Sequence, residues 1–289
     1  SAPLGQGQGS KSDGPVRVMT RRAKRSTHSR PSRFSVCVST TPENRFASEW
    51  QNADSGFAAA LGNRIHAKTG KPVGIILMGD SGLQLKQWIG YACLKNAPSL
   101  ADDYKQLAAI DPGSDEYAAS AQAYIAAWKK YWGESVPELI ATKRTMNGAA
   151  WGSYPSFASS ITTDASEAFN VMVDCFGPGN FKGIVFLPDA AMCEKDQGAN
   201  YGEQLSALAN CWKGWFACPD PYFFYAIPGK SLAAKVTSPA GIKGKSTAYE
   251  IDQWLTSGAS AKAAKKGAAG GADKQLAALI DKIIDEAYK

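Results

Sequence analysis

Two turns, each following an apolar run, carry the side chains best placed for chemistry. Val73–Met78 (VGIILM) runs into Gly79-Asp80-Ser81-Gly82, and Gly183–Leu187 (GIVFL) runs into Pro188-Asp189-Ala190-Ala191-Met192. In an α/β sheet, ligand sites form in the loops beyond the carboxyl ends of the strands. A serine at a strand-to-helix turn is exposed, as a nucleophile must be. Ser81 is that serine, with Asp80 beside it. Nucleophilic attack through its hydroxyl needs a histidine to take the proton, and the chain holds only two, His28 and His66. The bland alternative for Ser81 is a polar residue capping the next helix. The second turn offers one acid, Asp189, which could bind a cation or sugar hydroxyls. Its neighbours are a proline and two alanines, so this active-site position carries little chemistry.

The elements that must position these turns alternate in type. Val16-Arg17-Val18-Met19 and Phe34–Ser39 read as short strands. Ser55–Thr69 has apolar residues at Phe57, Leu61 and Ile65, a helical spacing, and Gly70 stops it. VGIILM is continuously apolar, as expected of a strand buried on both faces of a parallel sheet. Helical spacing returns at Leu85–Ile89, at Tyr117–Trp132, over Thr163–Val173, and at Tyr201–Trp215. Tyr222–Ile227 (YFFYAI) is a third buried strand. Strands alternating with helices predict an α/β fold with a mostly parallel, doubly wound sheet. Trp88, Trp128, Trp132, Trp212, Trp215 and Trp254 at such spacing read as core, with stacking on sugar rings as the alternative.

Composition bounds the rest. The chain has 289 residues and a net charge of +6, enough for one large α/β domain or two small ones. No apolar run approaches the ~20 residues of a membrane span. Residues 1–33 form a Gly/Ser-rich and then basic arm, with seven Arg and Lys between Arg17 and Arg33 and no acid. That arm is either solvated or a contact for an acidic protein, lipid headgroups or nucleic acid. Residues 34–257 read as the main domain and 258–273 as an Ala/Lys/Gly linker. Residues 274–289 read as an amphipathic helix, with Leu276, Leu279, Ile280, Ile283 and Ile284 on one stripe. That stripe docks on this domain or on a partner chain. None of the six cysteines forms a C-x-x-C pair, and with two histidines no metal site is assigned; no cofactor is assigned either. Cys211 and Cys218 could close a short disulfide loop or stay free thiols. The Ser at position 1, with no signal-like apolar stretch after it, suits a processed product, so an exported or organellar compartment is favoured over the cytoplasm.

Several strings in order resemble one family. Thr69-Gly70-Lys71-Pro72-Val73-Gly74-Ile75-Ile76 with Trp88 downstream is similar to T-G-x-P-V-G-L-I…E-A-W. Phe169-Asn170-x-Met172-Val173 followed by Gly183 is similar to L-Y-N-G-M-I…K-G. Tyr201, Leu205, Leu208, Trp212 and Trp215 before Pro221-Tyr222-Phe223-Phe224 are similar to the helix and strand that come next. These segments belong to the sialate O-acetylesterase group of SGNH hydrolases, and the resemblance covers roughly residues 16–229. It implies a flavodoxin-like three-layer α/β/α sandwich and removal of acetyl esters from sugars. In that chemistry a serine attacks the carbonyl, a histidine accepts the proton, and a glycine N–H with a polar side chain holds the oxyanion.

The chain departs from the family at each functional place. Pro188-Asp189-Ala190-Ala191-Met192 occupies the positions of Q-G-E-S-N, so Ala190 stands for the acid and Met192 for the amide. No G-Q-S-N is present, and no histidine follows Tyr225. G-D-S is the nucleophile signature of the wider class, yet the family alignment makes Gly79–Gly82 a later, oxyanion-donating turn. The resemblance therefore implies a degenerate esterase kept as a structural or interaction subunit, with Gly79, Ser81, Gly82, Asn170, Pro188, Asp189, Ala190 and Met192 as its vestigial site. The alternatives are an active O-acetylesterase built on Asp80, Ser81 and Asp189 with His28 or His66 as base, and a non-catalytic glycan-binding module.

Overall fold

The computed structural model describes residues 14–21, 50–53, 56–79, 82–142, 162–216, 220–255 and 269–288. Asp80, Ser81, His28, Cys37, Cys218 and the expected strand at residues 34–39 lie outside the described residues. The molecule is mixed α/β. Its strands are β1 (Val16–Arg21), β2 (Gln51–Asn52), β3 (Val73–Met78), β4 (Gly183–Phe186), β5 (Tyr222–Pro228) and β6 (Ser246–Ile251).

Among the described residues the strands form two three-stranded sheets, in the orders β2-β1-β3 and β4-β5-β6, where the sequence led to the expectation of one doubly wound sheet. β1 runs parallel to β3, from Val16 opposite Val73 to Arg21 opposite Met78, and β2 is antiparallel to β1. The second sheet is wholly parallel. β6 (STAYEI) adds a strand that the sequence does not announce, because an edge strand covered on one side has no continuous apolar run to reveal it.

Helix α1 (Gly56–Thr69) packs on β1 and β3. Gly62 lets it come close, since a Cβ there would collide with Val16 Cγ1. Gly70 ends the helix with φ +68°, and its N–H reaches the His66 carbonyl at 2.7 Å. Helix α2 (Ala101–Ala108) leads to α3 (Asp115–Lys130), where Ser114 Oγ accepts the Tyr117 N–H at 3.0 Å. Asp115 and Glu116 open α3 while Lys129 and Lys130 close it, as the helix dipole favours. No residue of α3 is buried, and Trp132, just beyond it, is 54% exposed. The expected helix over Thr163–Val173 is instead a π-helical turn at Phe169–Val173, followed by a 3-10 turn at Asp174–Phe176.

Helix α4 (Tyr201–Trp215) buries Leu205, Leu208 and Trp212 against Phe169, Met172, Phe186 and Phe223 in the larger core. The smaller core joins Leu61, Phe224, Ala226 and Ile251 to the last helix, α5 (Ala269–Ala287). Leu279, Ile280 and Ile283 of α5 are buried, and the helix packs on α1 and β6. Of the two docking modes open to the apolar stripe, the chain uses its own domain. The helix also begins five residues before the expected Lys274.

Cys211 is a free thiol hydrogen-bonded to Cys93, so the disulfide considered for it does not form among the described residues. That hydrogen bond, with burial, pushes the Cys211 thiol well up and holds Cys93 below its usual value. No described helix is long and apolar enough to cross a membrane.

Candidate functional site

The loops after β3 and β4 both open onto one cavity of about 760 Å³ that runs between the two sheets. This lies within the usual size range of small-molecule sites. The walls are β3 itself, β4 itself, and aromatic side chains such as Trp88, Trp212 and Phe216. β3 is therefore only half-buried, contrary to the expectation from its apolar sequence.

Asp189 lines this cavity at 7% exposure. Its Oδ1 accepts the Ala191 N–H at 2.9 Å, and its carbonyl accepts the Met192 N–H at 3.0 Å. The carboxylate thus closes an Asx turn that starts the short helix Ala191–Glu194. Met192 also lines the cavity, while Ala190 contributes only a methyl group beside it. Across the cavity, Gly79 lies at the end of β3 with open space where a Cβ would project, and Gly82 follows at φ +81°. Asp80 and Ser81 are outside the described residues. Asn170, 2% exposed, sits within the π-helical turn, held through its N–H to the Ser166 carbonyl at 2.9 Å.

His66 is removed from any such site. It lies in the last turn of α1, where Nδ1 donates to the Lys71 carbonyl at 2.8 Å. Lys71 precedes the amino end of β3 and Gly79 follows its carboxyl end. At about 3.3 Å per residue, six strand residues separate those ends by roughly 20 Å, beyond hydrogen-bond reach. Among the described residues no group of three or more His, Cys, Asp or Glu could hold a metal ion.

Three charged or polar features escape sequence reasoning. Lys86 Nζ bridges Asp103 Oδ1 at 3.0 Å and Asp164 Oδ1 at 2.8 Å. Burial pulls the ammonium pKa down, but hydrogen bonds and charge from Asp164 and Asp103 more than offset that, leaving it raised. Lys86 is therefore a fixed cation clasping the segment around Asp164, and it has no capacity as a base near neutrality. Asp174 is buried, which raises its carboxyl pKa to about 6. Ser166 is fully buried, its hydroxyl unpartnered among the described residues, at a strained φ of +65°. The partners of Lys86 lie far off in sequence and burial leaves no local pattern, so no signal in the chain could have found them.

The cavity thus joins two strand-end loops, one buried acid engaged with backbone, and no described histidine. Comparisons with protein-family models, curated proteins and solved structures find no match to this chain.

Proposed function

We propose that this chain is a catalytically degenerate, carbohydrate-esterase-like domain of the SGNH type that serves as a structural or interaction subunit. In this reading the two sheets are halves of the central layer of a flavodoxin-like α/β/α sandwich. The observation that carries it is the loop after β4. Its single acid, Asp189, is committed to the Ala191 N–H, and a methyl and a thioether occupy the adjoining positions. An acyl-transfer site needs a proton acceptor beside the nucleophile, and His66 stands at the opposite end of β3. Arg17 and Arg21 belong to β1, so the arm expected over residues 1–33 does not include them as a free segment. The basic residues of 22–33 and the outer face of α5 would supply contacts to neighbouring chains.

Purified protein assayed on acetylated sugars and on p-nitrophenyl acetate is expected to match the buffer rate, with no change on Ser81→Ala. Turnover that disappears in Ser81→Ala overturns this reading in favour of an O-acetylesterase using Asp80, Ser81 and Asp189. A glycan-binding module is the second reading, favoured by the open cavity beside Leu187, Asp189 and Met192. Retention on a glycan array without turnover, abolished by Asp189→Ala, would establish it.

A further inference from the structure

Two cysteines far apart in the chain meet in the larger core. Cys211 lies in α4, and Cys93 lies in the short helix Tyr91–Leu94, which packs on α4. Gly90, just ahead of that short helix, permits the approach. A Cβ there would lie 3.1 Å from Cys211 Sγ and 3.0 Å from the Phe169 ring, closer than carbon atoms ordinarily pack. The Gly90 carbonyl also accepts the Cys93 N–H at 2.8 Å, so the residue against Cys211 holds Cys93 in its turn. The two sulfurs are hydrogen-bonded to each other. Cys211 is buried and Cys93 is half-buried, the more exposed of the two.

The contact has a direction. Cys211 donates its S–H, and that bond, with a smaller contribution from the Lys95 charge, holds the Cys93 thiol below its usual value against the opposing effect of burial. The same bond, with burial, pushes the Cys211 thiol well up. A more exposed thiol that ionises readily, beside a buried thiol that keeps its proton, is the arrangement of an attacking and a resolving cysteine. Cys193 is the contrast within the same core, where burial and Asp196 push the thiol up to about 12.

We propose that Cys93 and Cys211 are a redox-active dithiol, oxidised by a low-molecular-weight disulfide to a bond that ties the Tyr91–Leu94 helix to α4. The proposal is independent of the functional reading above. The Cys93 thiolate attacks one sulfur of the oxidant, breaks its S–S bond and releases one thiolate, leaving a mixed disulfide on Cys93. Cys211 then loses its proton and attacks Cys93 Sγ, forming the protein disulfide and releasing the second thiolate. The two cysteine protons end on the two released thiols, so the oxidant gains the two electrons that the cysteine pair loses. Sulfurs already in hydrogen-bond contact need little side-chain movement to reach the ~2.05 Å of a disulfide. The bond forms behind the cavity wall. Trp212, next to Cys211, donates its indole N–H to the Trp88 carbonyl at 2.9 Å, and both residues line the cavity. Oxidation fixes this wall to the Tyr91–Leu94 turn and closes a long loop, which restricts the unfolded chain.

The test uses the full chain, reduced, freed of reductant, and exposed to glutathione disulfide in native buffer and in urea. Peptide mapping by mass spectrometry without reduction is expected to show Cys93 joined to Cys211 as the dominant link in native buffer, and a scrambled set of links in urea. The oxidised protein is expected to unfold at a higher urea midpoint than the reduced one, and dithiothreitol to reverse both changes. Before oxidation, Cys93 is expected to react with a thiol reagent at least on the order of tenfold faster than Cys193. Cys211→Ser is expected to stop at the first step, with one glutathione held on Cys93, and Cys93→Ser to leave Cys211 reduced. A glutathione adduct that persists on Cys93 of the unaltered chain overturns the proposal. So does Cys211 joined to Cys218, the absence of any link, or the same links in native buffer as in urea. These results are read on the unaltered chain, so a variant that fails to fold does not shelter the proposal.

Discussion

β3 and β5 have nearly the same kind of sequence and opposite surroundings. VGIILM and YFFYAI both read as strands for a doubly covered sheet. β5 has that cover: Phe223, Phe224 and Ala226 are at most 3% exposed, and strands lie on both sides. β3 has β1 on one side, the cavity on the other, and side chains left half-buried. Apolar content states how much cover a strand requires, while strand order decides whether it is delivered. Among the described residues, the difference places the less covered strand at the cavity between β3 and β4.

The most direct way to break that contrast is truncation on each side. Phe223→Ala should cost about 3–5 kcal/mol in urea denaturation. Ile76→Ala, on the half-buried β3, should cost less, about 1–2 kcal/mol. A cost equal to that of Phe223→Ala would show that β3 is as fully covered as β5 and would remove the contrast.

Charge burial adds a second contrast, since Asp174 is buried in the turn that follows Phe169–Val173. Its folded-state pKa, about 6, lies above the ordinary 3.8, so the native state holds this proton more tightly than the unfolded chain. The resulting destabilisation is absent below about pH 3.8, grows between there and pH 6, and is complete above. Asp174→Asn should therefore stabilise the protein at pH 7 by roughly 1–3 kcal/mol. Thermal melts at pH 7 and pH 4 should show the gain nearly vanishing at the lower value. An equal gain at both would place Asp174 in water.

Two smaller effects probe what holds the covered half in register. Tyr201 donates its hydroxyl to the Ala226 carbonyl of β5 at 2.7 Å, with the phenol wholly inside the core. Tyr201→Phe removes that donor at about 1–2 kcal/mol, measured as a shift in the urea midpoint at constant slope. Asp189→Ala loses the Asx turn at about 0.5–1 kcal/mol, and no change in esterase rate should accompany it. A larger fall in stability would mean that Asp189 anchors more than its own turn.

Much of this was legible in the residues. β1, β3, β4 and β5 fall within two residues of where apolar runs place them, because a buried strand writes its environment continuously along the chain. α1 ends at Gly70 for a reason visible locally, the need for positive φ. The π-helical turn at Phe169–Val173 was not legible. Its residues are all buried, so no polar face marks a period. At the site, the bonds of Asp189 to the Ala191 and Met192 N–H groups are local, between residues two and three apart, and a turn after a strand makes them readable in the chain. The Lys86–Asp103–Asp164 clasp and the Cys93–Cys211 contact join residues distant along the chain, which local pattern cannot encode.

The sequence by itself determined the α/β alternation, the apolar strands, the stop at Gly70 and the scarcity of histidine, because these depend on residue type and nearest neighbours. Only the tertiary structure decided that the strands form two sheets, that α5 covers its own domain, that His66 lies at the far end of β3 from Gly79, and that a cavity separates β3 from β4. Those outcomes depend on which edges and faces meet, and the free energy of that choice comes from contacts between residues far apart in the chain.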